Sequence, residues 1–573
     1  MPNSTIFDRF REAAEKYSKN VALGYKVEGS FKTISYKKLL SQINRCATGL
    51  RKMGVKEGAK VAIFSKNRTE LVILDLALNK IGAVSVFIHT TFSPKIIKYI
   101  LENSEAEYLA VGDLFSKYQE IEKQVSLRAV IAFNEINWKE GLVYFNDLLK
   151  QEEDDQPAAD FNICTFVYTS GTTGNPKGVM LTNSNFLSNI DSAVKYVPYT
   201  SKDVFLSFLP ISHVLERTGG YYAPLINGGA VYFAESVKTI SDDIRKVRPT
   251  VLVSVPRIFE KTYDKIMDKV RSSSSLQQQL FYSSLNISRR HIKYEQEKKT
   301  FTPLLGLLYY LANKLVLKKI RSKLGGRLKF SISGGAALNP SIAKFFEAIG
   351  VKILEGYGLT ETSPIIAVNP LDGYKFNTVG KIIEGVEVKI ADDKEILVKG
   401  PNVMEGYYNN QAQTDETFDR DGWFLTGDLG YLDSDNYLTV IGRKKEMIVT
   451  STGKNVNPVD LENALQESKY IHQVMVYGDN KKFISALIVP DFEELNNYAT
   501  ENNLEQVAFK LIKEEKIFNL YRKELDRQLK EFPENEKIGD FRLLEREFSE
   551  ERDELTPTLK LRRKKILDNF LPN

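Results

Sequence analysis

Between Tyr168 and Gly178 the chain reads Tyr168-Thr169-Ser170-Gly171-Thr172-Thr173-Gly174-Asn175-Pro176-Lys177-Gly178. This concentration of hydroxyls, glycines and one lysine confines what can be built around it. Residues 163–168 are β-branched, aromatic and apolar, as in a buried strand, and Thr182-Asn183-Ser184-Asn185 offers N-caps for a helix soon afterwards. Backbone N–H groups freed by the glycines, Ser and Thr hydroxyls and the Lys177 ammonium can together wrap an anion such as phosphate. The spacing departs from the common P-loop, which sets Ser or Thr directly after the lysine. Here Gly178 follows it. Taken alone, such a loop is more often an ordinary surface connection, so its meaning depends on what lies downstream.

Six further segments follow in order. They are Leu209-Pro210-Ile211-Ser212-His213-Val214-Leu215-Glu216-Arg217, Ser333-Gly334-Gly335-Ala336-Ala337-Leu338, Glu355-Gly356-Tyr357-Gly358-Leu359-Thr360-Glu361-Thr362, Gly422-Trp423-Phe424-Leu425-Thr426-Gly427-Asp428, Gly442-Arg443-Lys444-Lys445-Glu446 and Leu555-Thr556-Pro557-Thr558-Leu559-Lys560. With the glycine loop, the series resembles the adenylate-forming superfamily, which includes acyl-CoA synthetases, firefly luciferase and peptide-synthetase adenylation domains. Within it, the segment ending in Glu216-Arg217, Val255-Pro256-Arg257-Ile258-Phe259-Glu260-Lys261 and the run from Lys319 to Leu338 look most like long-chain fatty acyl-CoA synthetases.

That resemblance implies ATP, Mg²⁺ and coenzyme A, with a long-chain fatty acid as the acid activated. It assigns the outer phosphates to Thr169, Ser170, Gly171, Thr172, Thr173, Gly174 and Lys177, and the metal to Glu361 with Thr173. Gly334, Gly335 and Ala336 let backbone approach the nucleotide, and Glu355, Gly356, Tyr357, Gly358 and Thr360 form its adenine side, with Tyr357 stacked on the base. Asp428 accepts from the ribose, and Arg443 meets ribose or phosphate. His213 positions the carboxylate, and Lys560 enters between carboxylate and α-phosphate. Lys445 is implied as the hinge of a domain rotation, and Gly453 as a backbone position beside the pantetheine path. Taken by themselves, Trp423 and Phe424 read as core aromatics that position Asp428, and Glu216 as a carboxylate paired with Arg217.

The chemistry fits these residue types. A carboxylate and ATP are both anions, so joining them calls for positive charge and stabilisation of the leaving pyrophosphate. A fatty acyl-AMP ligase or acyl-carrier-protein synthetase shares the first half-reaction and differs in acceptor. A non-catalytic nucleotide or fatty-acid sensor would not need Lys177, Glu361, Asp428, Arg443 and Lys560 together. An amino-acid-activating domain is disfavoured, because residues 208–217 hold no aspartate for an α-ammonium group.

A chain of 573 residues exceeds one core. The pattern is α/β: strands at Lys60–Phe64 and Ala83–Ile88 alternate with helices at Asn44–Met53 and Lys66–Ile81, as in parallel sheets covered by helices. The expectation is a large, multi-subdomain N-terminal domain over 1–441 and a small, mobile α+β C-terminal domain over 442–573. The latter carries strands at 474–477 and 484–489 and one long charged helix from Leu504 to Phe532.

Seventy-nine Lys and Arg interleave with 74 Asp and Glu, which gives no support to a nucleic-acid-binding reading. Cys46 and Cys164 have neither metal spacing nor a disulfide framework, and a reducing cytoplasm suits them. Residues 1–20 are too charged for a signal peptide and read as an amphipathic surface helix. No run of apolar residues is long enough to span a bilayer. The nearest, Leu304–Ala312, is followed by Lys314, Lys318, Lys319, Arg321 and Lys323. A core helix with a solvated end is its plainer reading; an apolar patch lying on the cytoplasmic face of an anionic membrane is the other. The polar segment 272–299 reads as a helical excursion or a surface segment.

Overall fold

The computed structural model describes residues 4–571 apart from 135–141, 154–155, 160, 170–174, 237–238, 298, 301, 452, 503, 505–507, 550 and 556–560. Ser170, Gly171, Thr172, Thr173, Gly174 and Lys560 therefore lie outside the described residues. The chain divides into two compact units. The first holds residues 1–389, 397–426 and 432–439, and the second holds 390–396, 427–431 and 440–573.

Two sheets organise the first unit. One runs, in spatial order, Leu142–Tyr144, Ala129–Ala132, Tyr108–Val111, Lys60–Phe64, Val84–Phe87, Ile163–Thr169, Lys177–Thr182 and Gly406–Tyr407. Its first six strands are parallel, with Ala62 opposite Val86 and Val86 opposite Phe166. The last two strands are antiparallel. The other sheet passes through Lys352–Gly358, Phe330–Ser333, Val251–Ser254, Val204–Ser207, Ala230–Phe233 and Val21–Val27, all parallel, and ends on the antiparallel Ser30–Ser35. Parallel strands need crossovers, and helices such as Thr69–Lys80 supply them. That helix is buried at every residue but Glu70, and its buried polar groups Asp75, Asn79 and Lys80 are hydrogen bonded to Tyr221 and Tyr222, Asn183 and Asn44.

Local signals set several ends. Thr182 caps the helix Asn183–Tyr196, and its side chain and that of Asn185 exchange bonds with each other's backbone N–H. Thr5 and Asp8 do the same for Ile6–Lys16, an amphipathic helix that buries Ile6, Phe7 and Phe10 and exposes Glu12, Glu15 and Lys16.

The structure corrects three expectations and adds a strand. The strand and the helix expected around the glycine loop are both present, with a further strand, Lys177–Thr182, between the loop and the helix. Residues 170–176 connect two antiparallel neighbours, with Thr169 opposite Lys177 and Tyr168 opposite Gly178, so Lys177 opens a strand. The helix expected over 504–532 is broken into Ala508–Leu511 and Glu515–Gln528. Ile517, Tyr521 and Leu525 are buried at steps of four, but Leu511 lies six residues before Ile517, about 120° off that face on one continuous helix, so both reach the core only if the chain turns between them. Leu304–Ala312 is helical, yet only Ala312 of the helix Pro303–Ala312 is buried, so it is not a core helix. Trp423 is half-exposed and Phe424 alone fills core. Within 272–299 the expected helical excursion is present as the helix Ser275–Gln296.

The second unit packs helices against the strands Ile471–Tyr477, Ile484–Pro490 and Ile538–Leu543. The first pair is antiparallel and the second parallel, the mixed α+β arrangement that its sequence pattern implies.

Candidate active site

Lys177 stands at the end of the glycine hairpin, its ammonium 5.1 Å from the centre of the Tyr407 ring. The Tyr407 hydroxyl donates to Glu361 Oε1 at 2.8 Å. Glu361 lies in a short 3₁₀ turn, Thr360–Thr362, and its carbonyl accepts from the Met404 N–H at 2.8 Å. The sheet makes this junction: Tyr407 pairs with Val179, two residues past Lys177 on the neighbouring strand. Burial, and then the Glu361 charge, push the Tyr407 phenol upward, so it stays a donor. Sequence reading passed over Tyr407. The signal available was weak, an aromatic pair at Tyr407-Tyr408 that nothing local ties to Glu361.

Two glycine segments lie beside it at strand ends. Phe330–Ser333 ends in Gly334 and Gly335; a Cβ at Gly334 would meet both Leu215 methyls at 3.2 Å, and Gly335 has φ +86°, so the chain turns there only as glycine. Gly335 and Ala336 are exposed, leaving backbone open to a ligand. The neighbouring strand Lys352–Gly358 carries Glu355, Gly356, Tyr357 and Gly358. Glu355 Oε2 accepts from the Leu338 N–H at 3.3 Å, tying the two segments. Burial pushes the Glu355 carboxyl up to about 7, with that N–H opposing. Tyr357 is half-exposed. A Cβ at Gly358 would fall 1.6 Å from the Pro364 carbonyl oxygen, so no side chain is tolerated there.

His213 sits in a turn, its N–H bonded to the Pro210 carbonyl at 2.9 Å and its Nδ1 accepting from the Leu215 N–H at 3.4 Å. The following residues form a π-helical turn, Glu216–Tyr222, a geometry frequent at functional sites. Here the expected Glu216–Arg217 pair is absent. Adjacent helical residues point about 100° apart and do not face each other. Arg217, fully buried, instead donates to Thr165 Oγ1 at 2.7 Å and to the Ile211 carbonyl at 3.1 Å, with its guanidinium 3.6 Å above the Phe87 ring. Glu216 is buried beside Gly220, and neither carboxyl oxygen meets a hydrogen-bonding partner of good geometry. Burial pushes Glu216 up to about 8, opposed by the nearby Ser207 hydroxyl, so it is held as a neutral acid near pH 7.

In the second unit Arg443 Nε lies 3.1 Å from Asp428 Oδ1. The strand Tyr437–Arg443 extends two residues beyond its expected end and includes Arg443. Lys444 sits between Asp393 and Glu395, whose carboxylates hold its ammonium well above the usual range. Lys445 is exposed, in the turn Lys444–Glu446. Gly453 has φ +75°, its N–H is bonded to the Thr450 carbonyl at 2.8 Å, and no described atom lies within 4 Å of where a Cβ would stand. Among the described residues no group of three or more His, Cys, Asp or Glu gathers as a metal cage.

Two family matches agree with this arrangement. Residues 10–408 match the AMP-binding enzyme family, and residues 445–521 match the AMP-binding enzyme C-terminal domain. The chain belongs to the AMP-binding enzyme family. This AMP-binding enzyme is 34% identical over 566 residues, 95% of itself and 92% of the relative, to the long-chain-fatty-acid–CoA ligase FadD15 of Mycobacterium bovis. It is 31% identical to the long-chain-fatty-acid–[acyl-carrier-protein] ligase AEE15 of Arabidopsis thaliana, covering 98% of itself and 85% of that protein. The adenylation domain of a carboxylate reductase from Mycobacterium chelonae has the same fold, at TM-score 0.80 and 22% identity, over 100% of this chain and 90% of that one. The ATP-bound MatB of Rhodopseudomonas palustris follows at TM-score 0.73 and 22% identity, over 100% and 99%. The fold is that of an adenylate-forming enzyme, and its relatives are acyl ligases.

Proposed function

We propose that this enzyme activates long-chain fatty acids with ATP and passes the acyl group to coenzyme A. The observation that carries the reading is the junction of Lys177, Tyr407 and Glu361, a cation and a fixed carboxylate at the root of a glycine hairpin. In the first step a carboxylate oxygen of the fatty acid attacks the α-phosphorus of ATP, and the bond to pyrophosphate breaks. In the second the CoA thiol, having lost its proton, attacks the acyl carbonyl carbon and AMP leaves. A thiol of pKa near 8.5 needs little help against so activated an acyl group.

Lys177 and the hairpin residues neutralise the outer phosphates as pyrophosphate departs. Glu361 suits Mg²⁺, a hard cation that takes one or two carboxylates and completes its shell with phosphate oxygens and water. When bound, the ion would offset charge on the phosphates. Tyr407 holds the carboxylate that receives it. Asp428 and Arg443 take the ribose side of the nucleotide, Tyr357 the base, and Lys560 the junction of carboxylate and α-phosphate. Residues 445 and 453 then serve the second step from the C-terminal domain, 442–573. Residence at a membrane surface belongs to the same reading, since long-chain acids partition into bilayers.

The similarity to an acyl-carrier-protein ligase supports a second acceptor. A ladder of carboxylic acids offered with ATP and Mg²⁺, and either CoA or holo carrier protein, tests both by mass of the thioester. Acid-dependent pyrophosphate release that peaks at long chains is the expected result; release confined to short or aromatic acids overturns the substrate assignment.

A further inference from the structure

We propose that the outward face of the helical run Pro303–Lys323, with the neighbouring helix Ser275–Gln296, docks on a bilayer surface that contains anionic phospholipid. This deepens the membrane part of the proposed function and rests on it, but stands on surface features that owe nothing to catalysis.

The run consists of the helix Pro303–Ala312, a π-helical turn Asn313–Leu317 and the helix Lys318–Lys323. Its inward residues Tyr309, Val316, Leu317 and Ile320 pack on a core that includes Phe281, Leu285 and Phe345. The opposite side is equally apolar. Leu304, Leu307, Leu308 and Leu311 fall within an arc of about 100° on a helical wheel, and Leu315 continues the stripe. All five are between 38% and 66% exposed. The helix Thr69–Lys80 is buried at every residue but Glu70; Pro303–Ala312 carries no charged residue, yet of its residues only Ala312 is buried. Ser275–Gln296 packs along it and adds the exposed Leu276 and Leu280. An exposed apolar surface of this kind marks a docking surface.

Charge selects the occupant. Between residues 269 and 329 there are 14 Lys and Arg against 2 Glu, a net +12, whereas the rest of the chain carries 65 Lys and Arg against 72 Asp and Glu. Lys318 and Lys319, both exposed, follow Leu315 by three and four residues, so the leucine stripe runs directly into ammonium groups on the same side. Exposed Arg289, Arg290 and Lys293 lie on the companion helix. Leucines inserted below lipid phosphates, with long basic side chains reaching up to them, satisfy both features at once. A second copy of the chain would set two such basic segments against each other. A nucleic acid would leave the leucines without a partner.

The test is co-sedimentation of the full chain with vesicles of phosphatidylcholine, alone or with about a third phosphatidylglycerol, without fatty acid, ATP or CoA. Binding should require phosphatidylglycerol and fall by about tenfold or more between about 0.1 M and about 0.5 M NaCl. Leu307→Asp with Leu311→Asp, and separately Lys318→Glu with Lys319→Glu, should each weaken it by about tenfold or more while the melting transition is kept. No binding by the native chain, or undiminished binding by either folded double variant, overturns the inference. So does a native dimer in sedimentation velocity that the leucine variant converts to monomer, because the face would then be covered by a second copy. A chain that makes acyl-CoA but ignores vesicles removes the docking surface and leaves the ligase reading in place; one that binds vesicles but releases no pyrophosphate does the reverse.

Discussion

The Tyr407 hydroxyl donates to Glu361 across 46 residues of sequence, and the same ring carries the Lys177 ammonium on its face. One aromatic side chain thereby joins the end of the glycine hairpin to the carboxylate proposed for Mg²⁺. Hydroxyl and ring have separable effects. Tyr407→Phe keeps the ring and removes a hydrogen bond to a charged acceptor, worth about 1.5–3 kcal/mol. Acyl-AMP formation should fall by roughly tenfold to a hundredfold, with a raised requirement for Mg²⁺. Tyr407→Leu should weaken ATP binding as well. A Tyr407→Phe enzyme with native Mg²⁺ dependence would show that Glu361 is not held for the metal.

The lysine of the Thr-Pro-Thr-Leu-Lys segment is needed chiefly where two anions meet. Lys560→Ala should abolish pyrophosphate release while thioester formation from supplied acyl-AMP stays largely intact. Pyrophosphate release at the native rate would remove Lys560 from its assigned role.

At Gly453 the backbone is in the left-handed region, φ +75°. A glycine of that kind can serve a turn, a ligand path, or both, and two substitutions separate them. Gly453→Asn accepts positive φ and adds a side chain, whereas Gly453→Leu adds strain also. If pantetheine passes here, both variants and Lys445→Pro should retain acyl-AMP formation and lose most transfer to CoA, as measured by rapid quench. Native transfer in a folded Gly453→Asn enzyme would reduce Gly453 to a turn residue, and equal losses in both half-reactions would argue against a hinge at Lys445.

Glu216 carries a pH dependence. Its carboxyl is pushed from 4.5 up to about 8 in the folded chain, so between those values the native state holds a proton that the unfolded chain releases. Its contribution to stability is therefore fully present below pH 4.5 and is lost as pH rises toward about 8. Glu216→Gln supplies a permanently neutral side chain of the same shape. Thermal melts of the two proteins should diverge as pH rises from 5 to 8, the variant becoming relatively more stable by roughly a few kcal/mol. Parallel curves would mean that Glu216 ionises freely.

The sequence by itself determined the strands Lys60–Phe64 and Ile163–Thr169 and the helix Thr69–Lys80, because their apolar runs act over neighbouring residues. It also placed the glycine loop, the series of motifs and the α/β class, and with them the family. Tertiary structure alone decided which of those residues meet. It made Lys177 the first residue of a hairpin strand, brought Tyr407 to Glu361, and sent Arg217 to Thr165 and Phe87 instead of to Glu216. It also turned the leucines of Pro303–Ala312 outward. All but the hairpin depend on partners tens of residues or more away, and a local pattern records that a side chain is apolar or charged without recording which face of the folded chain will be left to receive it.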